Sequence, residues 1–162
     1  CREVADDFNA RYDAISKTYL YVIERKVENP LLIEVCWHPI FDFDIETFRN
    51  VSKLYVGNHC FDFFGSEEEK DGKILSIEDV WVEEKGNYVL WRVKGRSFLR
   101  YQVRFMVGTA YEIAAGRTSI AEITSRLDGT NKTTVHHKAP ASGLILEKVE
   151  YDFERSENLA KE

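Results

Sequence analysis

Apolar residues recur along this chain with two different periods, and the points where one gives way to the other divide it into elements. Alternation comes first. Residues 18–25 carry Tyr19, Tyr21 and Ile23 on one face and Leu20 and Val22 on the other, so this strand is expected inside a sheet. Pro30 marks a turn, and a second apolar run over residues 31–37 is closed by Pro39. A helical stripe follows in Phe48, Val51, Leu54 and Tyr55, with Asp44 placed to cap the helix and Gly57 to stop it. Residues 64–71 are polar, charged and bounded by glycine, which predicts a mobile loop. Residues 74–83 and 88–94 read as a hairpin turning at Glu84-Lys85-Gly86-Asn87. In its second strand Val89, Trp91 and Val93 alternate with Tyr88, Leu90 and Arg92, so one face is packed.

The longest helical stripe comprises Leu99, Val103, Met106, Val107, Ala110, Ile113 and Ala114, and predicts a helix over residues 98–115. Ser97 is placed as its N-cap and Gly116 as its left-handed stop. A short helix is expected from Ser119, with Glu122 completing a capping box, ending before Asp128-Gly129. Residues 130–140 read as loop and residues 144–151 as a last strand. Strands and helices in mixed order, with a hairpin, predict an α+β fold: a mostly antiparallel sheet with helices packed on one face.

Composition narrows the class. At 162 residues with 44% hydrophobic side chains the chain can bury a real core, so residues 1–152 are expected to form one domain and 153–162 a polar, acidic tail without order. No segment is long and apolar enough for a membrane span, and no signal peptide opens the chain. Cys1, Cys36 and Cys60 are odd in number and lack any C-x-x-C spacing, which points to reduced thiols and a cytoplasmic location. His136 and His137 are adjacent on an extended segment, point apart and lack a second ligand pair, so no metal site is expected.

Charge is more informative than composition. The net charge is −6, with acids gathered in Glu67-Glu68-Glu69-Lys70-Asp71, Glu78-Asp79, Glu83-Glu84 and the tail. Yet Arg92, Lys94, Arg96, Arg100 and Arg104 follow one another with no acid between them. On the expected helix, Arg100 and Arg104 would sit one turn apart at its positive end, an arrangement unfavourable by a few tenths of a kcal/mol, roughly, for each contribution. The natural partners are phosphate or an active-site carboxylate. A solvated basic face, with Arg104 bridged to a structural acid, is the alternative.

Residues 95–108, Gly-Arg-Ser-Phe-Leu-Arg-Tyr-Gln-Val-Arg-Phe-Met-Val-Gly, resemble the G-x-S-F-L-x-x-M-V-R-x-x-V-G motif of the TruA-type tRNA pseudouridine synthases. Three further segments resemble the family in its order. Residues 6–14 resemble D-D-F-H-A-R-F-x-A and Tyr19-Leu20-Tyr21-Val22-Ile23 the Y-x-Y-x-I strand after it; residues 54–61 lie where the family has L-x-G-x-H-D-F, and residues 139–149 resemble A-P-A-x-G-L-x-L-x-x-V. The similarity spans nearly the whole chain.

The resemblance implies that this is the C-terminal half of the enzyme, since the family's G-R-T-D motif with the essential Asp belongs ahead of Cys1. Gly116-Arg117-Thr118-Ser119 is no substitute, having Ser where the carboxylate belongs. It implies isomerisation of uridine to pseudouridine in the tRNA anticodon arm, without cofactor or metal, by a homodimer. Tyr19 and Arg104 match catalytic positions, and Leu99 matches the residue that walls the pocket. Phe98, Arg96 and Arg100 are candidate substrate-binding residues, the two arginines for flanking phosphates. Tyr19 and Leu99 are equally consistent with core packing, and Arg96 and Arg100 with solvation. Cys60 replaces Asp, Gln102 replaces Met, and residues 65–77 lack the family's arginine-bearing segment. The fragment alone is expected to be inactive. A non-catalytic RNA-binding module, or a plain interaction domain, remains the other reading.

Overall fold

Strand alternation builds the core of this molecule from one side of a sheet. The computed structural model describes residues 4, 6–26, 31, 33–66, 72 and 74–153. Its strands are β1 (Ala14–Glu24), β2 (Gly57–Cys60), β3 (Ile74–Lys85), β4 (Tyr88–Gly95) and β5 (Leu144–Tyr151), in the order β2-β3-β4-β1-β5. Every pairing between these strands is antiparallel. The helices are α1 (Ile45–Lys53), α2 (Gln102–Ala114) and α3 (Ala121–Leu127), with a 3₁₀ turn at Asp62–Phe64.

On β4, Val89, Trp91 and Val93 are fully buried, and their partners across β1 are Ile23, Tyr21 and Tyr19. Helices cover this face. The Trp91 indole N–H donates to Ser52 Oγ on α1 at 2.9 Å, and the Tyr55 hydroxyl donates to the Met106 carbonyl on α2 at 2.9 Å. Phe48, Val51, Met106, Val107, Ala110 and Ile123 close the same core. As predicted, β1 lies inside the sheet and the hairpin is formed, with a tight turn at Gly86-Asn87.

Helix termini show where local signals held and where they were overridden. Asp44 accepts from the Thr47 N–H at 2.7 Å and caps α1. The end of α2 is a Schellman motif: Arg117 N–H reaches the Glu112 carbonyl (2.9 Å) and Gly116 N–H the Ile113 carbonyl (3.0 Å), with Gly116 at φ +69°. The capping box expected at Ser119 is absent. α3 begins at Ala121 with no side-chain cap, because the Ser119 backbone carbonyl accepts from Glu122 N–H and the Glu122 carboxylate turns to Arg126 at 3.1 Å.

Other expectations are corrected. β1 starts at Ala14, four residues before the predicted start. β2 was not anticipated; it is short and, among the described residues, pairs only with β3, Asn58 facing Ser76. Residues 33–36 make turns and a bend, and Trp37 forms a parallel bridge to Ile23. α2 starts at Gln102, not Phe98. Pro30, residues 67–71 of the predicted loop and the tail after 153 lie outside the described residues. Among the described residues no helix is long and apolar enough to cross a membrane.

Candidate functional site

The segment between β4 and α2 is a clamped turn. Gln102 is fully buried; its side-chain carbonyl accepts the Leu99 N–H at 2.8 Å and its own N–H donates to the Leu99 carbonyl at 3.1 Å. Its amide nitrogen reaches Met106 Sδ at 3.8 Å. Tyr101 then enters α2 in the left-handed conformation, φ +68°, and Ser97 makes no cap. Phe98, Leu99 and Arg100 therefore precede the helix, and the expected pair of helical arginines does not exist. The physical reason is the Gln102 amide, which satisfies an N–H that a continuous helix would have left to a cap.

This turn and β1 enclose a cleft of about 340 Å³, lined by Tyr19, Phe98, Leu99, Arg100, Tyr101, Arg11 and others. Tyr19 is half-buried, stands edge-on to Phe98 with ring centroids 5.1 Å apart, and its hydroxyl pKa is raised by burial. Leu99 lies tight on Gly65, where a Cβ would come within 2.9 Å of its methyl carbon. Four of the predicted site residues, Tyr19, Leu99, Phe98 and Arg100, thus share one concavity. Arg96 is exposed and does not line it.

Arg104 stands one step from the lining, on the third residue of α2. It is half-buried, and its Nε–H donates to the Ala139 carbonyl at 2.7 Å while the Ala139 N–H donates to the Arg104 carbonyl at 3.1 Å. This reciprocal pair is possible because residues 137–139 lie directly on Gly108, where any Cβ would overlap the His137 carbonyl oxygen. The Tyr21 hydroxyl completes the strap by donating to the Pro140 carbonyl at 2.6 Å. Burial raises the Tyr21 hydroxyl pKa and the Arg104 charge opposes the rise, so the guanidinium acts on the tyrosine strand. Its charged carbon lies 5.5 Å from the centre of the Tyr101 ring, which does line the cleft. Among the described residues, no carboxylate pairs with Arg104. With Nε occupied, the donors left on Arg104 are the N–H groups of its two terminal nitrogens.

Sequence reasoning did not single out Arg11, Tyr101, Gln102 or Lys138 as parts of this region. Arg11 lines the cleft, and Lys138 Nζ sits 4.6 Å from the Tyr101 ring centre. Arg11, Tyr101 and Gln102 were within quoted motifs, Gln102 only as a departure from the family pattern; nothing local announced Lys138. Elsewhere the basic run is neutralised. Arg92 binds Glu147 and Glu83, at 2.9 and 3.2 Å, and Lys94 binds Glu150 and Glu78, at 2.9 and 3.4 Å. Among the described residues no group of three or more His, Cys, Asp or Glu is placed to hold a metal ion.

Comparison with known proteins converges on one family. A family model described as tRNA pseudouridine synthase matches residues 51–152. The chain is 35% identical over 149 residues to tRNA pseudouridine synthase A of Aquifex aeolicus, covering 91% of this chain and 61% of the relative. It is 36% identical over 151 residues to the protein of that name from Syntrophotalea carbinolica, covering 90% and 59%. For the Mycoplasmoides gallisepticum protein the figures are 34% over 151 residues, 93% and 57%. The chain spans about three-fifths of the length of these relatives. With the antiparallel sheet and its helices, these matches establish that the chain belongs to the tRNA pseudouridine synthase family.

Proposed function

We propose that this chain is the C-terminal half of a tRNA pseudouridine synthase and forms one wall of a cleft in which a uridine of the anticodon arm becomes pseudouridine. A segment outside this sequence supplies the catalytic aspartate, and the working enzyme is a cytoplasmic homodimer. The observation that carries the reading is a guanidinium fixed by Ala139, beside the cleft of Tyr19, with no carboxylate of its own among the described residues.

The chemistry is an isomerisation. The bond from uracil N1 to ribose C1′ breaks, a bond from C5 to C1′ forms, and the C5 proton is exchanged for one on N1. A carboxylate brought into this cleft loses hydration, which raises its pKa; Arg104 opposes that rise and keeps it ionised. Tyr19 and Leu99 wall the space for a base lifted out of its stack, and the Tyr19 ring offers stacking worth about 1–3 kcal/mol. A tyrosine hydroxyl is already protonated at neutral pH and burial raises the Tyr19 pKa further, so it is able to donate.

The test uses the protein from its complete reading frame and an unmodified tRNA transcript. Mass-spectrometric mapping should find pseudouridine in the anticodon arm. Tyr19→Phe should lower single-turnover rate by about 10²-fold with tRNA affinity retained. Absence of pseudouridine overturns the reading, and tight binding without conversion favours a non-catalytic RNA-binding module.

A further inference from the structure

Tyr101 is a bulky residue in a conformation that glycine, asparagine and aspartate adopt more readily, at φ +68°. The turn clamped by Gln102 holds it there. Its ring collects cations: Lys138 Nζ at 4.6 Å from the centroid, the Arg100 guanidinium at 4.8 Å and that of Arg104 at 5.5 Å. Lys138 also lies 5.7 Å from the Phe105 ring. Aromatic faces hold ammonium groups without neutralising them, because a ring quadrupole carries no net charge.

Lys138 and Arg104 come from different segments, and among the described residues neither pairs with a carboxylate. The protein is otherwise acidic and pairs its sheet cations closely, so two such cations on one ring at a cleft are a specific feature. Arg104 is held by Ala139 and has been assigned above to a carboxylate; Lys138 is exposed, on the strap that does the holding. A compact, strongly hydrated ammonium on a flexible stem suits a phosphate oxygen.

We infer that the Lys138 ammonium, seated on the Tyr101 ring beside Arg104, binds a backbone phosphate next to the target uridine. This rests on the proposed tRNA substrate and adds to it a phosphate seat made by residues 101 and 138. The ring preorders the lysine, so that less side-chain freedom is lost when RNA arrives.

The test is a titration of an unmodified tRNA transcript against the full-length protein across a range of salt, with single-turnover pseudouridine formation measured in parallel. Lys138→Ala should weaken binding about fivefold at moderate salt and reduce the slope of log affinity against log salt by about 0.9, the value for one phosphate contact on a duplex. Lys138→Arg should restore both. Tyr101→Asn, which tolerates the left-handed backbone, should keep the fold and lose affinity as Lys138→Ala does. Lys148→Ala removes an ammonium already held by Glu150 and should change neither quantity. An unchanged slope in Lys138→Ala, or a fall in rate without a fall in affinity, overturns the phosphate seat while the functional reading stands. A wild-type protein that binds tRNA but makes no pseudouridine overturns the functional reading; residues 101 and 138 then remain a contact to an RNA phosphate only if Lys138→Ala still lowers the slope, and the seat falls if it does not. Failure of the wild type to bind overturns both.

Discussion

Two sets of cations in this molecule look alike in sequence and differ in space. Arg92 and Lys94 lie on the open face of the sheet, each between two carboxylates, one from the adjacent strand β3 and one from β5, which lies beyond β1. Arg104 and Lys138 lie at the entry of α2 and share an aromatic ring, with no carboxylate paired to either among the described residues. The first set is satisfied within the fold; the second is held in place without being neutralised. Exposed pairs of the first kind contribute about 0–1 kcal/mol each. A cation of the second kind, as the proposal has it, contributes little to folding and keeps its charge for a ligand.

The largest expected effect is therefore on turnover. Arg104→Ala in the full-length protein should slow single-turnover conversion by about 10³-fold, with tRNA affinity within a few-fold of wild type. Arg104→Lys should not rescue it, since an ammonium lacks the end-on pair of nitrogens. Turnover within a few-fold of wild type would place Arg104 with the sheet cations, as a structural charge.

Next comes the device that orients it. Gly108→Ala puts a methyl group into the backbone of residues 137–139, and the strap must move. The change should cost about 1–3 kcal/mol in urea unfolding and lower turnover as well, because the Ala139 carbonyl no longer fixes the guanidinium. Loss of stability with full turnover would show that the strap does not position Arg104.

Much of this contrast was legible in the chain, and the part that was not has a common cause. α1 with its Asp44 cap, the hairpin, β5 and the glycine stop of α2 follow from periodicity and local chemistry, which act within a few residues. The start of α2 does not. Val103 and Met106 continue a stripe that includes Leu99, but a buried amide at Gln102 bonds back to Leu99 and makes a turn, which periodicity cannot register. Likewise, Arg92 to Arg104 reads as one basic strip because acids are absent between them. The sheet then brings Glu83 and Glu147 to Arg92 from either side in space. Lys138 enters the site only through the packing of its strap on Gly108. β2 and the β1 extension are settled by pairing partners rather than by their own sequence.

A smaller effect marks the other side of the contrast. Arg92→Ala should cost about 1 kcal/mol, from the lost pairs with Glu147 and Glu83, and should leave tRNA affinity and its salt slope unchanged. If it flattened the slope as Lys138→Ala is expected to, the open face would be an RNA surface and the two sets would be one.

The smallest effect is a pH dependence confined to the satisfied set. Glu150 accepts from Lys148, Ser16 and Lys94, which together lower its pKa from the ordinary 4.5 to about 2. A carboxylate depressed in the folded state stabilises the fold above its unfolded value, and that contribution is lost as pH falls from 4.5 toward 2. Stability should therefore fall with acid in this window, and the difference between wild type and Glu150→Gln should shrink as pH drops. In the 162-residue chain by itself, replacement of Arg104 is expected to give a stability difference that stays flat over the same window, since among the described residues no carboxylate pairs with it. Urea midpoints for the two variants and the wild type, measured in steps across the window, test both statements. A sloping difference for Arg104→Ala would mean that a carboxylate of this chain titrates against it, and the guanidinium would then belong with the neutralised cations of the sheet.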